Sequence, residues 1–85
     1  MDDINSIVLE GTVKAIEPIK ISTDAVLVQV ENRRYDTFDV FQVIMLGNHA
    51  KACHGLSLGS RIRIVGFLKL TDEKTFIIAE SMAVK

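Results

Sequence analysis

Apolar and polar residues alternate with a period of two over several stretches of this chain, and the breaks between those stretches outline its elements. From Ser6 to Ile16, Ile7, Leu9, Gly11 and Val13 alternate with Val8, Glu10, Thr12 and Lys14, which is the pattern of a half-buried strand. Gly11 interrupts it, and a glycine inside a strand usually marks a bulge or a tight bend. The segment EPIKISTD then reads as a loop, with Pro18 as a stop and Ser22 to Asp24 as turn formers. Valine-rich Ala25 to Glu31 predicts a second strand, NRRYD a polar turn, and Phe38 to Leu46 a third strand that forms a hairpin with the second. Asn48 is a candidate N-cap for a two-turn helix through His54, with Gly55 and Gly59 as stops on either side of Leu56 to Leu58. Arg61 to Leu70 predicts a fourth strand, TDEK a tight turn, and Thr75 to Val84 a fifth strand.

Five strands with a short helix between the third and fourth is the element order of the OB-fold, the small Greek-key barrel that binds oligonucleotides or oligosaccharides. Turn formers every ten to fifteen residues, roughly, fit an all-β barrel better than alternating βαβ units. The expected architecture is one all-β domain over residues 1–85, with no internal repeat or linker.

Composition changes this picture in two places. An apolar fraction of 48% with only 6% aromatic residues means that the hydrophobic content is aliphatic, and in 85 residues some of that surface can lie between subunits. Net charge is −1, yet residues 1 to 32 hold two basic against six acidic side chains and residues 33 to 85 hold eight against five. Positive potential therefore gathers in the later strands. No apolar run nears the roughly 20 residues of a membrane span, and no basic-then-apolar leader follows Met1, because Asp2 and Asp3 come first. A cytoplasmic, nucleoid-associated location without membrane contact is expected. The lone Cys53 agrees with a reducing compartment.

Candidate chemistry concentrates on two strands and one turn. If Phe41, Val43 and Met45 face the barrel interior, then Phe38, Val40, Gln42, Ile44 and Leu46 face outward. That outer row is too apolar for open water. Phe38 and Gln42 suit contact with bases, whereas Val40, Ile44 and Leu46 suit a second copy of the chain, as a homodimer or homotetramer. Arg61, Arg63 and Lys69 share one face of the fourth strand, opposite Ile62, Ile64 and Leu68. They read as a phosphate-tracking stripe, extended by Arg33 and Arg34 with Tyr35 as a stacking ring, and alternatively as the solvated face of an amphipathic strand. Thr12 and Lys14 are weaker additions, and Asp36 and Asp39 lie close enough to offset the arginines.

Catalysis and metal binding find little support. His49 and Cys53 stand four apart on the expected helix, with His54 adjacent, but no second cysteine or further histidine completes a zinc site. Cys53 reads as a small buried hydrophobe on a helix that plugs the barrel. Asp72 and Glu73 are turn residues, and no nucleophile has a positioned base. Neither an enzyme nor a cofactor is expected.

Three stretches carry a resemblance to a known family. NSIVLEGTV, FQVIMLG with the short Ala-containing helix after it, and LGSRIRIVGFL with the later IIAES resemble the strands of bacterial single-stranded-DNA-binding proteins, and still more their shortened PriB-type primosomal relatives. The resemblance implies non-enzymatic binding of single-stranded DNA, with RNA as an open alternative, in replication, recombination or replication restart. It also implies restart or replication proteins as further partners. It departs from the family where bases are stacked, since this chain has no tryptophan and Val40 stands where the family places an aromatic residue. The rival reading is an OB-fold assembly module that has lost nucleic-acid binding.

Overall fold

Strands β1 (Ile7–Pro18), β2 (Ala25–Arg34), β3 (Thr37–Leu46), β4 (Arg61–Leu70) and β5 (Thr75–Val84) close on one another in the order β1-β2-β3-β5-β4. The structure is a computed structural model that describes residues 6–19 and 25–85. Helix α1 (Asn48–Ala52) and a 3-10 turn, Cys53–Gly55, connect β3 to β4. This is the OB-fold barrel that the element order predicts.

Closure depends on β1 serving two neighbours. Ile7 to Thr12 pair with β4, and Thr12 to Pro18 pair with β2. The chain must bend where it changes partner, and Gly11 sits there: a Cβ on it would overlap the carbonyl oxygen of Glu31. A bulge between Val13 and Ala15 completes the turn of the strand. On the opposite side the barrel is sealed only by the parallel pairs Val43–Ile77 and Ile44–Ile78, against ten pairs between β2 and β3. Gly66 allows a second close approach, because a Cβ there would overlap the carbonyl oxygen of Ile78. Beside it, Glu80 is an extra residue in β5, between Ala79 paired to Gly66 and Ser81 paired to Val65.

Inward positions of all five strands fill the barrel. Val13, Val28, Val30, Val43, Met45, Ile62 and Ile64 are fully buried, and Leu9, Ile77 and Ala79 join them. Branched aliphatics suit this space, since they pack well on a pleated surface, and each fully buried one contributes about 1.5–3 kcal/mol relative to exposure. Ala50 and Cys53 from the helical connection are buried against the same cluster and close one end of it.

Several element boundaries differ from those expected. β1 runs on through Glu17 and Pro18, which the loop reading had removed from it; the turn expected at Ser22 to Asp24 lies outside the described residues. β2 continues to Arg34, so Asn32, Arg33 and Arg34 are strand residues, and the turn shrinks to Tyr35 and Asp36. The N-cap of α1 is Gly47 instead of Asn48, and the second helical turn is 3-10 rather than α. Phe41 shares the inward parity of Val43 and Met45 but is 36% exposed, because it lies beyond the point where β5 meets β3. TDEK is the compact turn expected, with Thr71 Oγ1 accepting from Lys74 N at 3.0 Å and Thr71 N donating to Lys74 O at 2.8 Å.

Candidate nucleic-acid interface

The β2–β3 hairpin outgrows the barrel. The β1–β2 ladder ends at Thr12–Glu31, whereas β2 and β3 stay paired through Asn32–Asp39, Arg33–Phe38 and Arg34–Thr37. Where the strands part, Asn32 Nδ2 donates to the Glu10 carbonyl at 2.7 Å and satisfies a group that the ladder no longer reaches. On the outer side of this arm the Arg33 guanidinium lies 5.0 Å from the centre of the Phe38 ring, within cation–π range. Phe38 is still 55% exposed. At the tip, Tyr35 has φ 56° and is 90% exposed. Such a backbone favours glycine, and a tyrosine there costs on the order of 1–2 kcal/mol.

Arg34 lies on the other side of the arm. It lines a shallow cleft of about 250 Å³ with Asn32, Asp39, Phe41, Val8 and Leu9. Alternation along the strand separates it from Arg33, so the two arginines do not form a single cationic tip.

A second group of charges sits on the outer side of β1 and β4. Arg61 is registered with Thr12 and Arg63 with Glu10. Glu10 Oε1 receives the Lys85 ammonium at 2.9 Å and the Arg63 Nε at 3.9 Å. The hydrogen bond and charge of Lys85 hold the Glu10 carboxyl below its ordinary range, against a smaller opposing effect of desolvation, with Arg63 and Arg61 adding to the lowering. Lys14, at the β1 bulge, pairs with Glu31 at 3.6 Å.

These charges and the hairpin arm are linked through the ladder. Arg61 pairs with Thr12, Thr12 with Glu31 and Glu31 with Val40, so one lateral row of outward positions runs from β4 across β1 and β2 to β3. Lys69 is not on it. It shares the outward side of β4 with Arg61 and Arg63 but pairs with Phe76 at the far end, about 26 Å from Arg61 at the usual strand rise.

The outward residues of β3 divide. Val40 and Leu46 are about half exposed, at 54% and 47%. Ile44 and Gln42 are only partly exposed. Ile44 is flanked by Leu27 of β2 and Ile78 of β5, and Ile78 in turn by Phe67 of β4, which makes an apolar row around the outside of the seam. Between β3 and the β4–β5 hairpin a cleft of about 400 Å³ is lined by Val40, Phe41, Gln42, Leu68, Lys74, Thr75 and Ile77. Sequence reasoning missed Glu10, Lys74 and Lys85 as members of these surfaces. No local pattern marks them, since their neighbours come from strands distant in sequence.

Burial pushes the Cys53 thiol up, His54 is exposed, and among the described residues no group of three or more His, Cys, Asp or Glu side chains is placed to hold a metal ion. No helix among the described residues is long and apolar enough to cross a membrane.

No known family model and no curated protein matches this chain. Solved structures do. A chain of the S. pombe Stn1–Ten1 complex superposes with a TM-score of 0.78 at 17% identity, over 96% of this chain; the present chain spans 59% of that one. The N-terminal domain of PriB protein from Thermoanaerobacter tencongensis, solved as a dimer, gives 0.76 at 22% identity, covering 95% of this chain and 96% of the other. A small single-stranded DNA binding protein from Mycoplasma pneumoniae gives 0.77 at 20% identity, over 95% and 93%. Identities this low establish shared architecture, and that architecture is the OB-fold.

Proposed function

We propose that the protein is a non-enzymatic module that binds single-stranded DNA with little sequence preference, in replication, recombination or replication restart. Tyr35 is the observation that carries this reading. A fully exposed ring held in a left-handed backbone at the tip of a projecting hairpin does nothing for the core, and strain of that kind persists where a site needs it. Beside it, Phe38 offers a ring face already set against the Arg33 guanidinium, and Gln42 lies four residues further along the same side of β3. Bases stack on Tyr35 and Phe38, while Arg61 and Thr12 on the lateral row, with Arg63 and Lys14 beside it, follow the phosphates toward the arm. Arg34 and Lys69 lie off that track. The structural neighbour from M. pneumoniae, a small single-stranded DNA binding protein by name, supports this reading.

Titration with a labelled oligothymidine over a range of salt concentrations tests the proposal. Affinity is expected to fall with a log–log slope of about −0.7 per phosphate neutralised. Absence of binding at low ionic strength rejects it.

A second role rests on a separate observation. The outward row Leu27, Ile44, Ile78 and Phe67, with the half-exposed Val40 and Leu46 beside it, is more aliphatic than a surface open to water on all sides. Val40, Ile44 and Leu46 are assigned to contact with a second copy of the chain, which makes the protein a homo-oligomer. Size-exclusion chromatography of Ile44→Lys, expected to elute as a smaller species than wild type, checks this; an unchanged elution volume rejects it.

A further inference from the structure

On the reading that this barrel binds nucleic acid, we infer that Glu10 is a built-in competitor for the phosphate backbone: its carboxylate occupies, in the free protein, an anion subsite made by Arg61, Arg63 and Lys85. Three cations, two on β4 and one on the residue after β5, surround one acid. Lys85 is brought there by its own backbone, whose N–H donates to the Arg61 carbonyl at 2.9 Å, and its ammonium lies 2.9 Å from Glu10 Oε1. Arg63 stands directly across the β1–β4 ladder with its Nε at 3.9 Å from the same oxygen. Thr12, two residues further along β1, is neutral, and Asn32 meets Glu10 through its main-chain carbonyl. Glu31, across the β1–β2 ladder from Thr12, is taken by Lys14.

Among the side chains, one carboxylate against three cations leaves an excess of +2, which favours a further anion even when Glu10 is in place. Glu10, Arg63 and Lys85 all keep 41–52% of their side-chain surface in water. Ion pairs that exposed are weak and exchange readily, so a phosphate carrying comparable charge displaces the carboxylate at little cost. The acid then sets how tightly and how salt-dependently this part of the barrel holds a strand. With Glu10 present, Lys85 and Arg63 are already partly neutralised and release fewer counterions on binding.

Binding of a labelled oligothymidine to wild type, Glu10→Gln, Glu17→Gln and Glu10→Gln with Lys85→Ala tests the assignment. Glu17 lies at the other end of β1, paired with Leu27, so its substitution changes net charge by the same amount away from the cluster. Glu10→Gln is expected to raise affinity about three- to fivefold at low salt and to steepen the log–log salt slope by up to about 0.7, more than Glu17→Gln does. The added Lys85→Ala is expected to cancel that gain. Equal gains in Glu10→Gln and Glu17→Gln reduce the effect to net charge and overturn the inference, as does a gain that survives the loss of Lys85. If wild type binds and Glu10→Gln matches it, only the subsite is refuted. If neither binds at low ionic strength, the nucleic-acid reading falls with it.

Discussion

The outer side of β1 and β4 and the outer side of the β2–β3 arm differ in how their charges are used. On the first, the cations converge on an acid: Arg63 and Lys85 on Glu10, with Lys14 on Glu31 at its margin. On the second, Arg33 faces an aromatic ring instead of a carboxylate, and Tyr35 and Phe38 stand in solvent. Paired cations give a surface that trades one anion for another, while an exposed ring beside a guanidinium gives a surface that accepts flat, apolar faces. The contrast suggests a division of labour between phosphate tracking and base stacking on one small barrel, joined by the row from Arg61 to Val40.

The comparison is broken most completely from inside. Ile64→Ala empties a fully buried position beneath Arg63 and is expected to cost about 2–5 kcal/mol, a large share of the stability of a domain this size, measured by urea unfolding. Both surfaces should be lost together. Phe38→Ala acts on the arm alone: folding should be retained and oligothymidine affinity should fall by about 1–3 kcal/mol, with the salt slope unchanged. Arg61→Ala with Arg63→Ala should do the reverse, making the salt slope shallower by up to about 1.4 at equal base-stacking contribution. An identical change of slope in the arm and β4 variants would contradict the division of labour.

Tyr35→Gly sharpens the point, because fold and binding should move in opposite directions. Glycine accepts φ 56° without strain, so the thermal midpoint is expected to hold or rise, while removal of the ring weakens binding. Weakened folding in this variant would show that the ring packs on something in the free protein. The smallest effect is one of pH. Glu10 has a folded-state pKa below its unfolded value, so its contribution to stability is fully present above the unfolded value and is lost as pH falls through the folded one. The stability difference between wild type and Glu10→Gln should therefore shrink as pH is lowered from neutrality and vanish once Glu10 is protonated in the folded state as well. A difference that persists in acid would mean that Glu10 acts through packing.

Much of the barrel was legible in the residues. The alternation of Ile62 and Ile64 with Arg61 and Arg63 placed β4, and Gly11 in an otherwise regular strand marked the bend by which β1 serves two neighbours, since no other residue fits against the Glu31 carbonyl. Cys53, a small apolar side chain on the helical connection, is buried against the barrel core as a plug residue should be. The reach of β2 was not legible, because Asn32, Arg33 and Arg34 have the polarity of a turn and become strand only by pairing with β3. Arg33 and Arg34, adjacent in sequence, were read as one tip and end on opposite sides of the arm once they become strand.

Local order, the alternation of faces, the bends at glycine and the identity of the core aliphatics were determined by the sequence alone, because each follows from interactions between residues near one another along the chain. The tertiary structure decided which charges meet. Glu10, Arg63 and Lys85 are brought together by β1–β4 and β4–β5 pairing across dozens of residues, and a shift of one position in either ladder would turn a different side chain outward.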